Sequence, residues 1–244
     1  MRIPRFYIDT PLPDRGDLSL PDSAARHITT VLRLKVGAAL TLFNGNGGEY
    51  RAELLSSQKH RVRARILEHH AIEREVPWPL CLALCVSKGS KMDLSVQKAT
   101  ELGATQIQPL ISTRSVVKLD TERAARRQQH WRDIVISSSE QCARNRLSEI
   151  APVADLATWI QNNSLPGLKL MFTPQADQLL VNLPPPDTTG ICLLIGPEGG
   201  FSENEITTAK AQGFQGVSFG HRILRAETAA IAGLAAVLAL WSQQ

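Results

Sequence analysis

Two glycine-marked segments near the C-terminal end carry the residue types best suited to holding a ligand. One is Gly196-Pro-Glu-Gly-Gly200, directly after the apolar run Ile191–Ile195; the other is Gly220-His-Arg-Ile-Leu-Arg225, after Val217–Phe219. Both apolar runs read as buried parallel strands, and ligands of open α/β sheets collect beyond the carboxyl ends of such strands. Three glycines and a proline in five residues exceed what a strand-to-helix turn needs, and they let a ligand come close to the backbone. No Gly-Lys-Ser/Thr follows, and the GxGxxG spacing of a dinucleotide site is absent, so phosphate binding is not the leading chemistry. Ser202-Glu-Asn-Glu205 reads as a capping box that starts the next helix and holds the loop at its far end. In the second segment Ile223 and Leu224 sit between Arg222 and Arg225. Backbone amides beside an apolar pair suit a flat, uncharged ring such as adenine. Arg225 projects near the same crevice, or pairs with Glu227 or Glu198.

A second kind of chemistry is written in Arg61-Val-Arg-Ala-Arg-Ile66. Strand alternation puts Arg61, Arg63 and Arg65 on one face and Val62, Ala64 and Ile66 on the other. A phosphate backbone facing those guanidiniums would relieve their repulsion. A solvated face balanced by Glu49 or Glu53 on the neighbouring strand is the alternative. The charge placement agrees with an acidic partner: residues 1–72 hold 11 Lys and Arg against 7 Asp and Glu, while residues 73–244 hold 16 of each.

The elements that must position these residues fall into two domains. In residues 1–72, strands are predicted at Arg5–Asp9, Ala39–Phe43, Glu49–Leu55 and Arg61–Leu67. One helix is predicted over Pro21–Leu34, its apolar stripe being Ala24, Ile28, Val31 and Leu32. This is a small antiparallel sheet or barrel. Glu73–Pro79 reads as a linker. In residues 73–244 the pattern changes to alternating strands and helices. Strands are predicted at Leu80–Val86, Gln106–Ile111 and Lys169–Thr173, besides the two already named. Helices are predicted at Lys91–Leu102, Thr121–Ala143 and Ala154–Gln161. Such alternation implies a largely parallel sheet covered by helices on both faces. Residues 226–240 are apolar nearly all round and rich in alanine, as expected of a helix buried on most sides, by close backbone approach or by a subunit contact.

Composition narrows the function classes. The chain has 244 residues, 43% hydrophobic and 20% charged, with a net charge of +4. It has no apolar run of membrane-spanning length and no apolar leader, so a cytoplasmic protein is expected. Cys81, Cys85, Cys142 and Cys192 form no CxxC pair and read as small buried hydrophobes. The histidines show no ligand spacing with carboxylates or cysteines, so no metal is expected.

Leu193–Ser202 and Phe219–Ala229 resemble the second and third motifs of the SPOUT methyltransferases. Lys91–Gly103 with Pro109–Val117 resembles the first. The wording GPEGG, RILRAETA, TELG and Ser139-Glu-Gln-Cys-Ala-Arg144 is similar to the RsmE family over essentially the whole chain. Phe219 stands where leucine is usual in that family, and Ala226 where threonine is usual. The resemblance implies an N-terminal PUA-like β-barrel and a C-terminal SPOUT domain with a deep trefoil knot. It also implies bound S-adenosylmethionine, a homodimer with the active site at the subunit interface, and methylation of a uridine N3 in bacterial 16S rRNA or the small ribosomal subunit. Cofactor binding then falls to Thr173, Ile195, Gly196, Pro197, Glu198, Gly199, Gly200, Phe219, Gly220, Ile223, Leu224, Arg225 and Thr228. Arg144 and Arg225 would position the uracil or its phosphate, with Glu140, one turn before Arg144, orienting it. Glu198 reads as a base or as the anchor of its loop, the anchor being favoured. Arg5, Arg33, Arg61, Arg63, Arg65, Lys88, Lys91 and Arg114 are the candidates for RNA contact. The competing readings are a SPOUT enzyme acting on another RNA and a non-catalytic RNA-binding or ribosome-assembly factor; a dehydrogenase lacks its glycine fingerprint.

Overall fold

The computed structural model describes residues 3–58, 61–162, 167–176 and 178–242. The chain forms two compact units: Met1–Glu75 with Ser139–Leu147, and Val76–Ser138 with Ser148–Gln244.

The first unit is a five-stranded sheet in the order β1-β3-β4-β5-β2. Its strands are β1 (Arg5–Tyr7), β2 (Gly16–Ser19), β3 (Ala39–Phe43), β4 (Glu49–Gln58) and β5 (Arg61–His70). The pairs are antiparallel except β1 with β3, which is parallel. Alternation on β5 is as the sequence predicts: Val62, Ala64 and Ile66 are buried, and Arg61, Arg63 and Arg65 are exposed. Their main counter-charge is not the expected one. Asp17, on the short strand β2, lies 3.3 Å from Arg63 and 2.7 Å from Arg65 and is the main counter-charge, while Glu53, opposite Arg65 on β4, adds a weaker attraction. The expected single helix is a five-residue α1 (Asp22–Arg26) continued by one π-helical turn, His27–Val31. The wide turn, closed by Leu32 N–H on the His27 carbonyl at 2.9 Å, shifts the register of the residues after it. Ala24 and Ile28 therefore reach the core, while Val31 and Leu32 face outward at 66% and 40% exposure.

The second unit is an all-parallel sheet in the order β12-β10-β11-β6-β7-β8, with β9 also paired to β7. Its strands are β6 (Leu80–Cys85), β7 (Gln106–Ile111), β8 (Glu149–Ile150), β9 (Ala154–Asp155), β10 (Leu168–Phe172), β11 (Ile191–Ile195) and β12 (Gln215–Val217). Every residue of β6 and β11 is buried, as continuous apolar runs require when helices cover both faces. The helices are α2 (Ser90–Glu101), α3 (Thr121–Cys142), α4 (Leu156–Asn162), α5 (Glu203–Ala211) and α6 (Ala226–Trp241). On α2 the stripe Met92, Val96 and Ala99 is buried. On α6, Gly233 explains the small-residue composition: a Cβ there would stand 3.1 Å from the Phe172 ring and 3.5 Å from Leu193. Only so smooth a helix can lie this close to β10 and β11.

Candidate functional site

Three neighbouring strands of the second unit end level with one another. Phe172 of β10 is in register with both Ile195 of β11 and Val217 of β12. Beyond these ends lies a cavity of about 420 Å³. Its walls are the loop Gly196–Phe201, the segment Val217–Phe219, residues Arg222–Ala226 with Ala229, and Thr173–Gln175 with Arg114.

Each wall has a local cause. Ser202 caps α5: its hydroxyl accepts the Glu205 N–H, and Glu205 Oε2 accepts the Ser202 N–H at 2.7 Å, so both legs of the capping box are made. Gly200 turns the loop at φ +68°, its N–H closing on the Pro197 carbonyl at 2.9 Å. Gly196 has no Cβ to press on the Phe201 ring, which would lie 3.1 Å away. Phe172 and Phe219 stack at 4.9 Å between centroids and form an apolar wall. Arg225 precedes α6 as its N-cap residue with no side-chain capping bond, so its guanidinium is not used to start the helix.

The electrostatics are asymmetric. Glu198 lies 3.2 Å from Lys91. Its own backbone N–H chiefly, and Lys91 with it, hold its carboxyl below the usual glutamate range against the opposing effect of partial burial. Burial works to raise the Glu205 carboxyl, but the N–H groups of Ser202 and Thr113 outweigh it, and the group titrates below its ordinary value. Arg222 and Arg225, both exposed, make no ion pair among the described residues. Cys85 is no nucleophile: burial pushes its thiol up to about 12.

The structure brings most of the expected ligand residues together. Thr173, Ile195–Gly200, Phe219 and Ile223–Arg225 all line the cavity. Gly220 and Thr228 do not; Ala226 and Ala229 take the place expected of Thr228, which is exposed on the outer side of the first turn of α6. Arg114, expected to face RNA, lines the cavity. Arg222 lines the cavity within the expected segment Gly220–Arg225, while sequence reasoning missed Phe172, Phe201 and Ser218. The apolar character of Phe172 and Phe201 could be read as strand and core but not as wall.

Arg144 is not among the lining residues and belongs to the first unit. Its side chain is 5% exposed and bound to Glu75, by Nε at 2.9 Å and Nη2 at 2.5 Å. Glu140 does not orient it; that carboxylate accepts the Tyr7 N–H at 2.9 Å. Arg5 is likewise buried, donating to Glu49 and Asn145 at 2.6 Å each, and so is not presented to RNA. Arg33, at φ +50°, is exposed, and Lys88 is exposed close to Glu198. Among the described residues there is no group of histidine, cysteine and carboxylate side chains fit to hold a metal, and no helix long and apolar enough to cross a membrane. His60 lies outside the described residues.

Comparison with known proteins gives a consistent picture. Residues 74–238 match the family described as RNA methyltransferase domain, and residues 20–67 the RNA methyltransferase PUA domain. A ribosomal RNA small subunit methyltransferase E from Buchnera aphidicola is 36% identical over 97% of this chain and 96% of its own length. A protein of the same name from Neisseria gonorrhoeae, solved bound to S-adenosylmethionine, superposes with a TM-score of 0.92 at 38% identity over 98% of both chains. A putative methyltransferase from Legionella pneumophila, solved with the same cofactor, gives 0.93 at 37% identity, again over 98% of both chains.

Proposed function

The chain belongs to the ribosomal RNA small subunit methyltransferase E family, and from that premise we propose that it methylates N3 of a uridine in bacterial 16S rRNA, using S-adenosylmethionine. The observation that carries this reading is the backbone-built cavity beyond three level strand ends. At about 420 Å³ it falls in the usual range for small-molecule sites. The residues present fit the cofactor: Gly196–Gly200, Phe219 and Arg222–Leu224 offer backbone groups, and Phe172, Ile195, Ile223 and Leu224 offer apolar walls to an adenosine.

When bound, S-adenosylmethionine supplies a methyl group already activated on a sulfonium. What remains for the chain is to align the acceptor and to favour its anion. Uridine N3 has a pKa on the order of 9, so about 1% is anionic at neutral pH. Arg225 and Arg222, at the cavity and without an ion-pair partner among the described residues, are suited to donate to the uracil oxygens and stabilise that anion. Glu198 anchors its loop through Lys91; a carboxylate held below the usual range is a poor base for so weak an acid. Arg144 serves the stability of the first unit rather than the reaction. The first unit, with Arg61, Arg63 and Arg65 exposed, grips the RNA backbone. The same reading includes a trefoil knot around the cavity loops, a cytoplasmic setting, and a second copy of the chain against α6, whose Ala235 and Ala239 are exposed, as is Ile223 before it.

The test is to methylate small-subunit RNA from a strain lacking this enzyme and to map the product by mass spectrometry. The expected outcome is one methyl group on one uridine base. A methyl on ribose, on another base or only on another RNA overturns the substrate assignment. Absence of cofactor heat in calorimetry favours a non-catalytic RNA binder. In the same assay Arg225→Ala is expected to lower single-turnover rate about 100-fold with an unchanged melting temperature.

A further inference from the structure

The loop that lines the cavity is held from behind by the segment after β7. That segment is itself fixed: Ser115 N–H donates to the Ser112 carbonyl at 3.0 Å, and Ser112 N–H donates to Ser115 Oγ at 2.9 Å. Thr113 N–H then donates to Glu205 Oε1 at 2.9 Å. Arg114 completes the clamp, its Nη1 donating to the carbonyls of Gly199 at 3.1 Å and Phe201 at 3.2 Å.

Because a peptide group is planar, holding its oxygen and its N–H removes its freedom to rotate. The peptide between Gly199 and Gly200 is held at its oxygen by Arg114 and at its N–H by the Pro197 carbonyl. The peptide between Phe201 and Ser202 is held at its oxygen by Arg114 and at its N–H by Glu205. Both planes are pinned at both edges, and Arg114 is common to the two. A Cβ on Gly199 would stand 3.4 Å from the Arg114 Cβ, so the arginine stem lies directly along the glycine.

We propose that Arg114 is a positioning residue for the cofactor and not a ligand of RNA phosphate. Its guanidinium fixes the two carbonyls and through them the cavity wall. Both bonds come from Nη1, whose two hydrogens lie fixed in the guanidinium plane, whereas an ammonium on a flexible stem has rotating donors and no such fixed plane. The proposal rests on the reading of the cavity as an S-adenosylmethionine site.

The test uses the full chain with Arg114→Ala and Arg114→Lys, titrated calorimetrically with S-adenosylmethionine and assayed under steady state. In Arg114→Ala the cofactor Kd and KM are expected to rise at least about tenfold, with Arg114→Lys between it and the unsubstituted chain. At saturating cofactor kcat should stay close to that of the unsubstituted chain, and the salt dependence of RNA binding should not change. An unchanged cofactor Kd, with RNA binding weakened and its salt slope reduced by about one, overturns the proposal. If Arg114→Ala does not fold, Arg114→Lys is judged by the same two affinities. Failure of the unsubstituted chain to bind S-adenosylmethionine is a separate result: it overturns the reading of the cavity and takes this proposal with it.

Discussion

In the first unit, Arg5 and Arg144 are buried and tied to Glu49 and Glu75 by ion pairs of 2.6 and 2.5 Å, whereas around the cavity of the second unit Arg222 and Arg225 are exposed with no carboxylate paired to them among the described residues. The residue type is the same and the physical situation is opposite. A guanidinium taken out of water must be matched by a carboxylate and by hydrogen bonds, and once matched it has little left to offer a substrate. One left at a cavity mouth contributes little to folding but keeps its donors for a ligand. Burial and pairing, not identity, separate the arginines that hold the protein from those that act.

The largest effect that tests this contrast is in the first unit. Arg144→Ala should lower stability by about 3–5 kcal/mol, because the Glu75 carboxylate, its side chain only 12% exposed, is left without its partner. Replacing both residues with apolar ones, Arg144→Met with Glu75→Leu, should recover most of that loss. Urea denaturation measures both, and a loss below about 1 kcal/mol for the single variant would break the comparison. A smaller effect concerns the cavity. Glu205 and Glu198 titrate below their ordinary value in the folded protein, so their contribution is complete above about pH 4.5 and is lost as pH falls through the lower folded values. Cofactor affinity should hold from pH 8 to about pH 5 and decline below, and Glu205→Gln should weaken binding at neutral pH and make that decline shallower. The smallest effect is expected at Arg63 and Arg65. Replacing both with glutamine should leave the melting temperature in place, since the pairs with Asp17 are exposed. The salt slope of RNA binding should fall by about one or two. An unchanged slope would put these arginines with Arg144, as residues matched within the protein.

Features set by neighbours in sequence were legible before the structure. The capping box at Ser202 and Glu205, the glycine at 103 that ends α2 at φ +80°, and the buried runs β6 and β11 depend on local chemistry and periodicity. So does the loop Gly196–Gly200, whose unusual glycine content marks the cavity wall. Features set by distant partners were not legible. Glu75 lies 69 residues from Arg144, and the acid that balances Arg65 lies 48 residues away on a strand of four residues. The run expected to be a strand at Val217–Phe219 is instead β12 at Gln215–Val217. Phe219 is apolar because it stacks on Phe172, a reason that an apolar pattern cannot distinguish from a strand. The π turn after α1 misled the reading of Val31 and Leu32 for a related reason: one wide turn changes which side every later residue faces.

The two pinned peptide planes behind the cavity have a thermodynamic consequence. A glycine-rich loop usually has many conformations to lose on binding, and that loss opposes association. Here Arg114, Pro197 and Glu205 have removed much of that freedom during folding. The ordering entropy is charged to the folding of the second unit, and a ligand meets a wall already in its final shape.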